Sequence, residues 1–251
     1  MSGHSKWATI KHKKGAADKA RGKLFAKLAR QIEVSARGGG GDVDANPTLR
    51  TAVQKAKGAQ MTNDAIERAI KRGTGESGDD IVYETIMYEG YAPGGVALLI
   101  DVLTDNRNRI SADVRQVFSK LGGSMAEPGA VGWQFSRKGV IITADGIAED
   151  DVMLAALDAG ADDIIAEGDA WRITTEPSDV FDVQDQLGGA GIETLSADSP
   201  MVAENLVAVT DLKDAKAILR ILEALEDNDD VQDVYSNFDI SDELMEEAAA
   251  G

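Results

Sequence analysis

The segment RGTGESGDD, residues 72–80, divides the chain into two parts that differ in hydrophobic period and in charge. Before it, apolar residues recur at helical spacing, and after it they form short β-rich runs. Residues 1–72 carry 16 basic and 6 acidic side chains, net +10, whereas the rest of the chain carries 10 basic and 38 acidic ones, net -28. Because polyanions attract basic surfaces and repel acidic ones, we expect only the first part to contact a phosphate backbone.

Three helices are predicted between residues 23 and 72. In the first, Leu24, Leu28 and Ile32 recur four apart, and the run RGGGGD ends the helix. Asn46, followed by Pro47, is predicted to cap the second helix, and Thr62 is predicted to cap the third. Residues 3–22 are rich in Lys and Gly, which predicts an extended or weakly helical arm that can become ordered on binding.

The acidic part is predicted to have an α+β fold. VYETIMYEGYAP and GGVALLIDVLTD predict two strands around a Pro-Gly-Gly turn, followed by a helix from about Ser111 to Leu121 and a strand at AVGWQFS. From Gly139 the predicted order is β-α-β-β-α-β, with VAENLVAV as the last strand, which is the ferredoxin-like arrangement. A later helix, AKAILRILEALED, and strand, VQDVYSNFDI, have no partners in that unit, so we expect them to return to the earlier sheet. The acidic tail after Asp239 is expected to fray.

These elements predict an α+β protein of three domains. The basic arm and a three-helix domain occupy residues 1–75. A discontinuous α+β domain is expected at residues 80–138 and 210–240. The ferredoxin-like α+β domain at residues 139–209 is then an insertion into it.

The residue types present argue against an enzyme. The chain has no Cys, which excludes disulfides, thiolate nucleophiles and Cys-ligated metals. His4 and His12 are the only histidines, and no acidic pair lies near them, so we expect neither a metal nor another cofactor. The Gly run at 38–41 lacks the Lys-Ser/Thr of a phosphate-binding loop and is interpreted as a hinge. Carboxylate pairs such as Asp229-Asp230 are interpreted as solvated charges, since no His, Cys or Lys partner accompanies them.

The sequence also bears on location. No apolar run reaches the roughly 20 residues that a membrane-spanning helix needs. The first basic residues lead into further basic residues instead of the apolar segment of a secretory signal. We therefore expect a cytoplasmic monomer with no membrane partner and no small-molecule substrate.

Two groups of basic residues are candidates for nucleic-acid binding. In the arm and the first helix, cations lie close together among small residues, with an indole and an imidazole available for stacking. The second group lies in TDNRNRISADVRQ, near the start of a helix that Asp105 or Asn106 could cap, where the macrodipole disfavours cations. A solvated charge run is the alternative for the first group, and pairing with local carboxylates is the alternative for the second. The candidates are Trp7, Lys11, His12, Lys13, Lys14, Lys19, Arg21, Lys23, Lys27 and Arg30 in the first group, and Arg107 and Arg109 in the second.

Several long segments resemble the YebC/PmpR family, whose eukaryotic relatives are mitochondrial translational activators. They are GHSKWATIKHKKGAADKARGKLFAKLAR, GGGGDVDANPTLRTAVQKA, DAIERAIKRGTGE, YEGYAPGGVALLIDVLTDNRNR and DVRQVFSKLGG. The resemblance implies a non-enzymatic protein with a helical N-terminal domain and two α+β domains, the middle one discontinuous. It places nucleic-acid contacts in HSKWATIKHKKGAADKARGK, which adds His4 and Lys6 to the candidates, and in NRNR. The chain departs from the family at YAPGG, where Tyr-Gly-Pro-Gly-Gly is usual.

The sequence leaves three functions open. The resemblance favours a DNA-binding transcriptional regulator, although the third helix offers Glu67, Arg68, Lys71 and Arg72 and no evident base-reading set. A flexible Lys/Gly/Ala arm suits folded RNA, which favours a translation factor that binds ribosomal RNA and assists difficult, proline-rich sequences. The third is a protein-interaction module whose acidic surface binds basic proteins.

Overall fold

The computed structural model describes residues 17–76, 78 and 81–249, and its mixture of helices and sheets confirms the α+β class. The described residues form two compact units. One runs from Trp133 to Asn205, whereas the sequence suggested an inserted domain at 139–209. The larger unit combines the described residues up to Gly132 with those from Leu206 onward. No helix in the described part of the chain is long and apolar enough to span a membrane.

Three helices form the N-terminal part of the larger unit, as the sequence predicts. They are α1 (Ala17–Gly39), α2 (Pro47–Gly58) and α3 (Asn63–Gly73). Their apolar faces meet in a core that includes the fully buried side chains of Ile32 and Leu49. α1 begins within the predicted arm because Ala, Lys and Arg, good helix formers, occupy most of its first turns. The rest of the arm, residues 3–16, lies outside the described residues.

Polar side chains fix the ends of these helices. Asn46 caps α2 as predicted: its Oδ1 accepts from the Leu49 N–H at 3.1 Å, and its Nδ2 donates to the Ser35 and Gly40 carbonyls, each at 2.9 Å. Thr62 precedes α3 as predicted but makes no side-chain cap hydrogen bond. Buried Glu33 of α1 accepts from Arg72 Nε of α3 at 3.1 Å. The three helices are therefore joined by polar contacts as well as by their core.

A four-stranded antiparallel sheet follows, formed by β1 (Glu84–Ala92), β2 (Val96–Thr104), β3 (Ser124–Ala126) and β11 (Val231–Ser236). The strand order is β11-β2-β1-β3. The inner strand β2 is almost entirely buried, because helices pack over it and it lies between two neighbouring strands. The helices are α4 (Arg107–Leu121), α7 (Leu212–Glu226) and α8 (Asp242–Ala249).

The predicted fraying of the acidic tail is wrong. Residues 242–249 form α8, which packs on α7 and buries Met245 and Ala248. These two residues lie one turn apart on the same face, which gives an otherwise acidic segment an apolar contact. Just before α8, β12 (Phe238–Ile240) pairs in parallel with β10 (Val207–Val209).

Glu89 on β1 anchors the loop that precedes residue 133. Its buried carboxylate accepts from the backbone N–H groups of Gly129 at 2.7 Å, Val131 at 2.6 Å and Gly132 at 2.9 Å. Burial raises the pKa of Glu89, but these backbone hydrogen bonds outweigh it and hold the pKa below its usual value. The loop is thus held by a carboxylate that must remain ionised.

The unit at Trp133–Asn205 has the element order β-α-β-β-α-β that the sequence predicts. The elements are β4 (Phe135–Arg137), β5 (Gly139–Thr143), α5 (Glu149–Asp158), β6 (Asp163–Glu167), β7 (Ala170–Thr175), α6 (Val180–Gly189), β8 (Thr194–Asp198) and β9 (Met201–Ala203). The four-stranded antiparallel sheet has the order β6-β7-β5-β8, and α5 and α6 contribute to its core. β4 and β9 pair with each other as a separate two-stranded sheet.

The prediction of VAENLVAV as the last strand of this sheet is wrong. β8, residues 194–198, takes that place and pairs with β5. Its sequence, TLSAD, contains one large apolar residue, Leu195, which is exposed, so the usual strand pattern is missing. The more apolar VAENLVAV is divided between β9 and β10, which pair with β4 and β12.

Candidate nucleic-acid interface

The structure describes the side chains of six of the fourteen predicted site residues. Arg21, Arg107 and Arg109 are exposed, and Lys23, Lys27 and Arg30 are half-buried along α1. Lys19 lies in α1, and its side chain is outside the described part. The candidates His4, Lys6, Trp7, Lys11, His12, Lys13 and Lys14 lie outside the described residues and remain predictions.

Lys23, Lys27 and Arg30 form a stripe along one side of α1, because their spacings are four and three residues. The stripe faces the sequence EDNDD at Glu226–Asp230, which joins α7 to β11 and which we call the acidic segment. Lys23 Nζ donates to Asp227 Oδ1 at 2.7 Å and to the Asp227 carbonyl at 3.0 Å. Lys27 Nζ donates to the Glu226 carbonyl at 2.9 Å.

Arg30 is held from several directions at the far end of the stripe. Its Nη1 donates to the carbonyls of Leu103 at 3.0 Å and Asp229 at 3.1 Å, and to Asp230 Oδ1 at 2.9 Å. The guanidinium carbon lies 5.2 Å from the centroid of the Tyr83 ring, within cation–π range. Arg30 therefore ties α1 to the end of β2 and to the two residues that directly precede β11.

Asp230 is the centre of this group. It is 5% exposed and accepts from Arg30, from Thr104 Oγ1 at 2.7 Å and from Arg109 Nη2 at 2.6 Å. Burial raises the pKa of Asp230, but the hydrogen bonds from Arg109, Thr104 and Arg30 outweigh it and hold the pKa below its usual value. The structure thus buries a carboxylate with two guanidinium partners.

The arginines of NRNR lie at the start of α4, where Asn106 caps the helix by accepting from the Arg109 N–H at 3.1 Å. Arg109 also contacts Asp105 at 2.8 Å, and its two carboxylate partners raise its pKa further above the usual Arg value. Of the two alternatives that the sequence left open, pairing with carboxylates is therefore observed for Arg109. Arg107 is exposed.

The interpretation of Asp229-Asp230 as solvated charges is wrong for Asp230, which is buried and has three side-chain donors. Local sequence could not reveal this, because Arg30 and Arg109 are 200 and 121 residues away along the chain. The one local signal is position, since Asp230 directly precedes the buried Val231 of β11.

The helical part also presents cations outside the stripe. Their side chains are exposed at the surface of α1, α2 and α3, where they can meet an anion without first leaving a buried partner. They are Arg21, Arg50, Lys57, Arg68 and Lys71. Among the described residues, no group of three or more His, Cys, Asp or Glu side chains could hold a metal ion.

Two family models match the chain. The model for the TACO1/YebC protein N-terminal domain matches residues 5–76, and the model for the TACO1/YebC second and third domain matches residues 83–238. Together they cover the three N-terminal helices and both four-stranded sheets.

Similar proteins of comparable length are known from several bacteria. A "probable transcriptional regulatory protein" of Rubrobacter xylanophilus is 56% identical over 250 residues, covering 99% of this chain and 100% of that protein. One of the same description from Halothermothrix orenii is 55% identical, covering 98% of each chain. The crystal structure of a conserved hypothetical protein from Aquifex aeolicus is 40% identical and has a TM-score of 0.80, covering 90% of this chain and 93% of that one. The chain therefore belongs to the TACO1/YebC family.

Proposed function

We propose that the protein regulates gene expression by binding nucleic acid through its basic N-terminal part, without catalysing a reaction. The observation that carries this proposal is the charge partition, +10 in residues 1–72 against -28 in the rest. The relatives described as probable transcriptional regulatory proteins support a regulatory role.

Binding of this kind is driven by the release of counterions from the phosphate backbone as cations replace them. The exposed cations of the helical part and the Lys-rich arm provide those contacts, whereas the acidic remainder is repelled by the same phosphates. Contact is therefore restricted to one part of the protein. This restriction determines which surface faces the nucleic acid without any base being read.

A second candidate is a translation factor that binds ribosomal RNA, and the exposed surface of α3 favours it over a reader of duplex DNA. That surface presents Asp64 and Glu67 together with Arg68 and Lys71. A recognition helix in the major groove brings its exposed side chains against base edges and phosphates, where two carboxylates oppose binding. An arm that inserts into folded RNA needs no such helix.

A salt titration tests the proposal. Fluorescence anisotropy would measure the affinity of the full chain for a duplex DNA and for a ribosomal RNA hairpin at several salt concentrations. Replacing Lys11, Lys13 and Lys14 by Gln should weaken binding about 10- to 100-fold and reduce the slope of log affinity against log salt by about 2–3. The matched control replaces Lys120, Lys213 and Lys216 by Gln, removing the same charge from the acidic part.

Equal binding by the two triple variants would contradict the proposal. Tighter binding to the RNA hairpin than to the duplex, at equal salt, would select the translation factor. The reverse order would select the transcriptional regulator.

A further inference from the structure

We propose that the acidic segment, Glu226–Asp230, covers a phosphate-binding surface on α1, and that nucleic acid displaces the exposed Asp227 side chain from that surface. This inference rests on the proposed function and adds a means of controlling it. The protein's own carboxylates and carbonyls would then compete with phosphates for the same cations.

The covered surface has the dimensions of a phosphate track. Lys23 and Arg30, at the two ends of the stripe, are seven residues apart in α1, which is about 10 Å along the helix axis. Each strand of a duplex carries one charge per about 3.4 Å of axis, so the stripe matches about three phosphates.

The acidic segment supplies oxygen atoms where phosphate oxygens would otherwise lie. Each cation of the stripe donates a hydrogen bond to a carbonyl oxygen of the segment, and Lys23 and Arg30 also donate to a carboxylate oxygen. A cleft of about 540 Å³ lies between them, lined by Lys23, Arg30, Arg109, Asp113, Asp227, Asn228, Asp229 and Asp230. Four carboxylates there face three cations, so the cleft repels a phosphate while the segment is in place.

Two carboxylates of the segment, Asp230 and Asp227, are held with different strength. The side chain of Asp230 is 7% exposed and bound to two arginines, and breaking a buried pair of this kind is costly. The side chain of Asp227 is 72% exposed, and that of Lys23 is 29% exposed. Exposed pairs are weak and are screened by salt. The Asp227 carboxylate can therefore leave Lys23 while Asp230 and the end of α7 at Glu226 stay in place.

A pair of variants that remove the same charge tests this inference. Asp227→Asn with Asp229→Asn removes two exposed carboxylates from the segment and leaves Asp230 intact. The control, Asp150→Asn with Asp151→Asn, removes two exposed carboxylates from α5 in the other compact unit. Anisotropy titrations with the same duplex DNA and ribosomal RNA hairpin would compare both with the unaltered chain, and thermal melting would verify that each variant is folded.

The segment variant should bind about 10-fold more tightly than the control, with a salt slope steeper by about 1–2, because freed cations add phosphate contacts. Adding Lys23→Gln to the segment variant should remove most of this gain. Equal affinity and slope in the segment variant and the control would overturn the inference while leaving the proposed function intact. A failure of all variants and of the unaltered chain to bind either probe would overturn both.

Discussion

The helical region at residues 17–76 and the compact unit at Trp133–Asn205 are similar in size and opposite in charge. The helical region has 12 basic and 7 acidic residues, whereas the unit has 3 basic and 16 acidic ones. Both nevertheless bury cores of the same kind, dominated by Ala, Val, Ile and Leu side chains. Apolar burial thus stabilises both folds, and the sign of the surface charge determines whether each region attracts or repels a polyanion.

The two regions also differ in how their carboxylates are placed. In the helical region, Glu33 is buried between Arg37 and Arg72. In the unit, Glu149, Asp150 and Asp151 lie exposed in the first turn of α5, where the helix dipole favours anions. Acids that contact the helical region should therefore matter individually for stability, whereas the exposed acids of the unit should be individually dispensable.

Replacing Asp230 by Ala should give the largest effect. It leaves Arg30 without its carboxylate and Thr104 without its acceptor, and we expect the free energy of unfolding to fall by about 2–4 kcal/mol. The same change at the exposed Asp150 should alter it by less than about 0.5 kcal/mol. Urea unfolding followed by circular dichroism measures both. A similar loss at the two positions would remove the distinction between the regions.

Replacing one glycine of each region by Ala should change the stability of the fold in opposite directions. A Cβ at Gly73 would meet the Glu33 carbonyl oxygen and lie 2.8 Å from the Ala36 Cβ, where α3 crosses α1. Gly73→Ala should therefore destabilise the fold by about 1–3 kcal/mol. At Gly188 of α6 a Cβ meets nothing within 4 Å, so Gly188→Ala should stabilise the fold by about 0.5–1 kcal/mol. Thermal melting measures both changes, and a shift of the two melting temperatures in the same direction would contradict this account of the packing.

Low pH should reduce the stability of the larger unit, because it protonates Asp230 and Glu89. Both pKa values lie below their usual values in the folded protein, so each group stabilises the fold fully above its unfolded pKa. That contribution is lost as the pH falls from about 4 through the lower folded values. Urea midpoints measured between pH 7 and pH 3 should drop, and the drop should be smaller in Asp230→Asn and Glu89→Gln. An identical pH dependence in all three proteins would exclude these carboxylates as its source.

The smallest effect is expected from Asp150→Asn with Asp151→Asn in the acidic unit. Stability should change by less than about 0.5 kcal/mol, since both side chains are exposed. Affinity for nucleic acid should stay within about twofold, because repulsion from distant exposed charges is screened. Calorimetric melting and the anisotropy titration measure the two quantities. A tenfold gain in affinity would mean that the unit lies close to the bound nucleic acid.

Local sequence patterns were sufficient to predict the elements that have a regular spacing of apolar residues or a clear capping residue. The helical region, the Asn46 cap and the first five elements from Gly139, β5 to α6, were predicted because each depends on residues close together in sequence. β8 and α8 were missed because their apolar residues are few. The contact between α1 and the acidic segment could not be predicted from either segment alone. It depends on tertiary packing, which brings Arg30 and Arg109 to one buried carboxylate.

Photo-crosslinking tests the central claim most directly, because it identifies which residues touch the nucleic acid. The full chain would be irradiated in complex with the duplex DNA or the ribosomal RNA hairpin, digested, and its crosslinked peptides sequenced by mass spectrometry. We predict crosslinks in residues 1–76 and none in Trp133–Asn205. Crosslinks concentrated in Trp133–Asn205, with none in residues 1–76, would contradict the account.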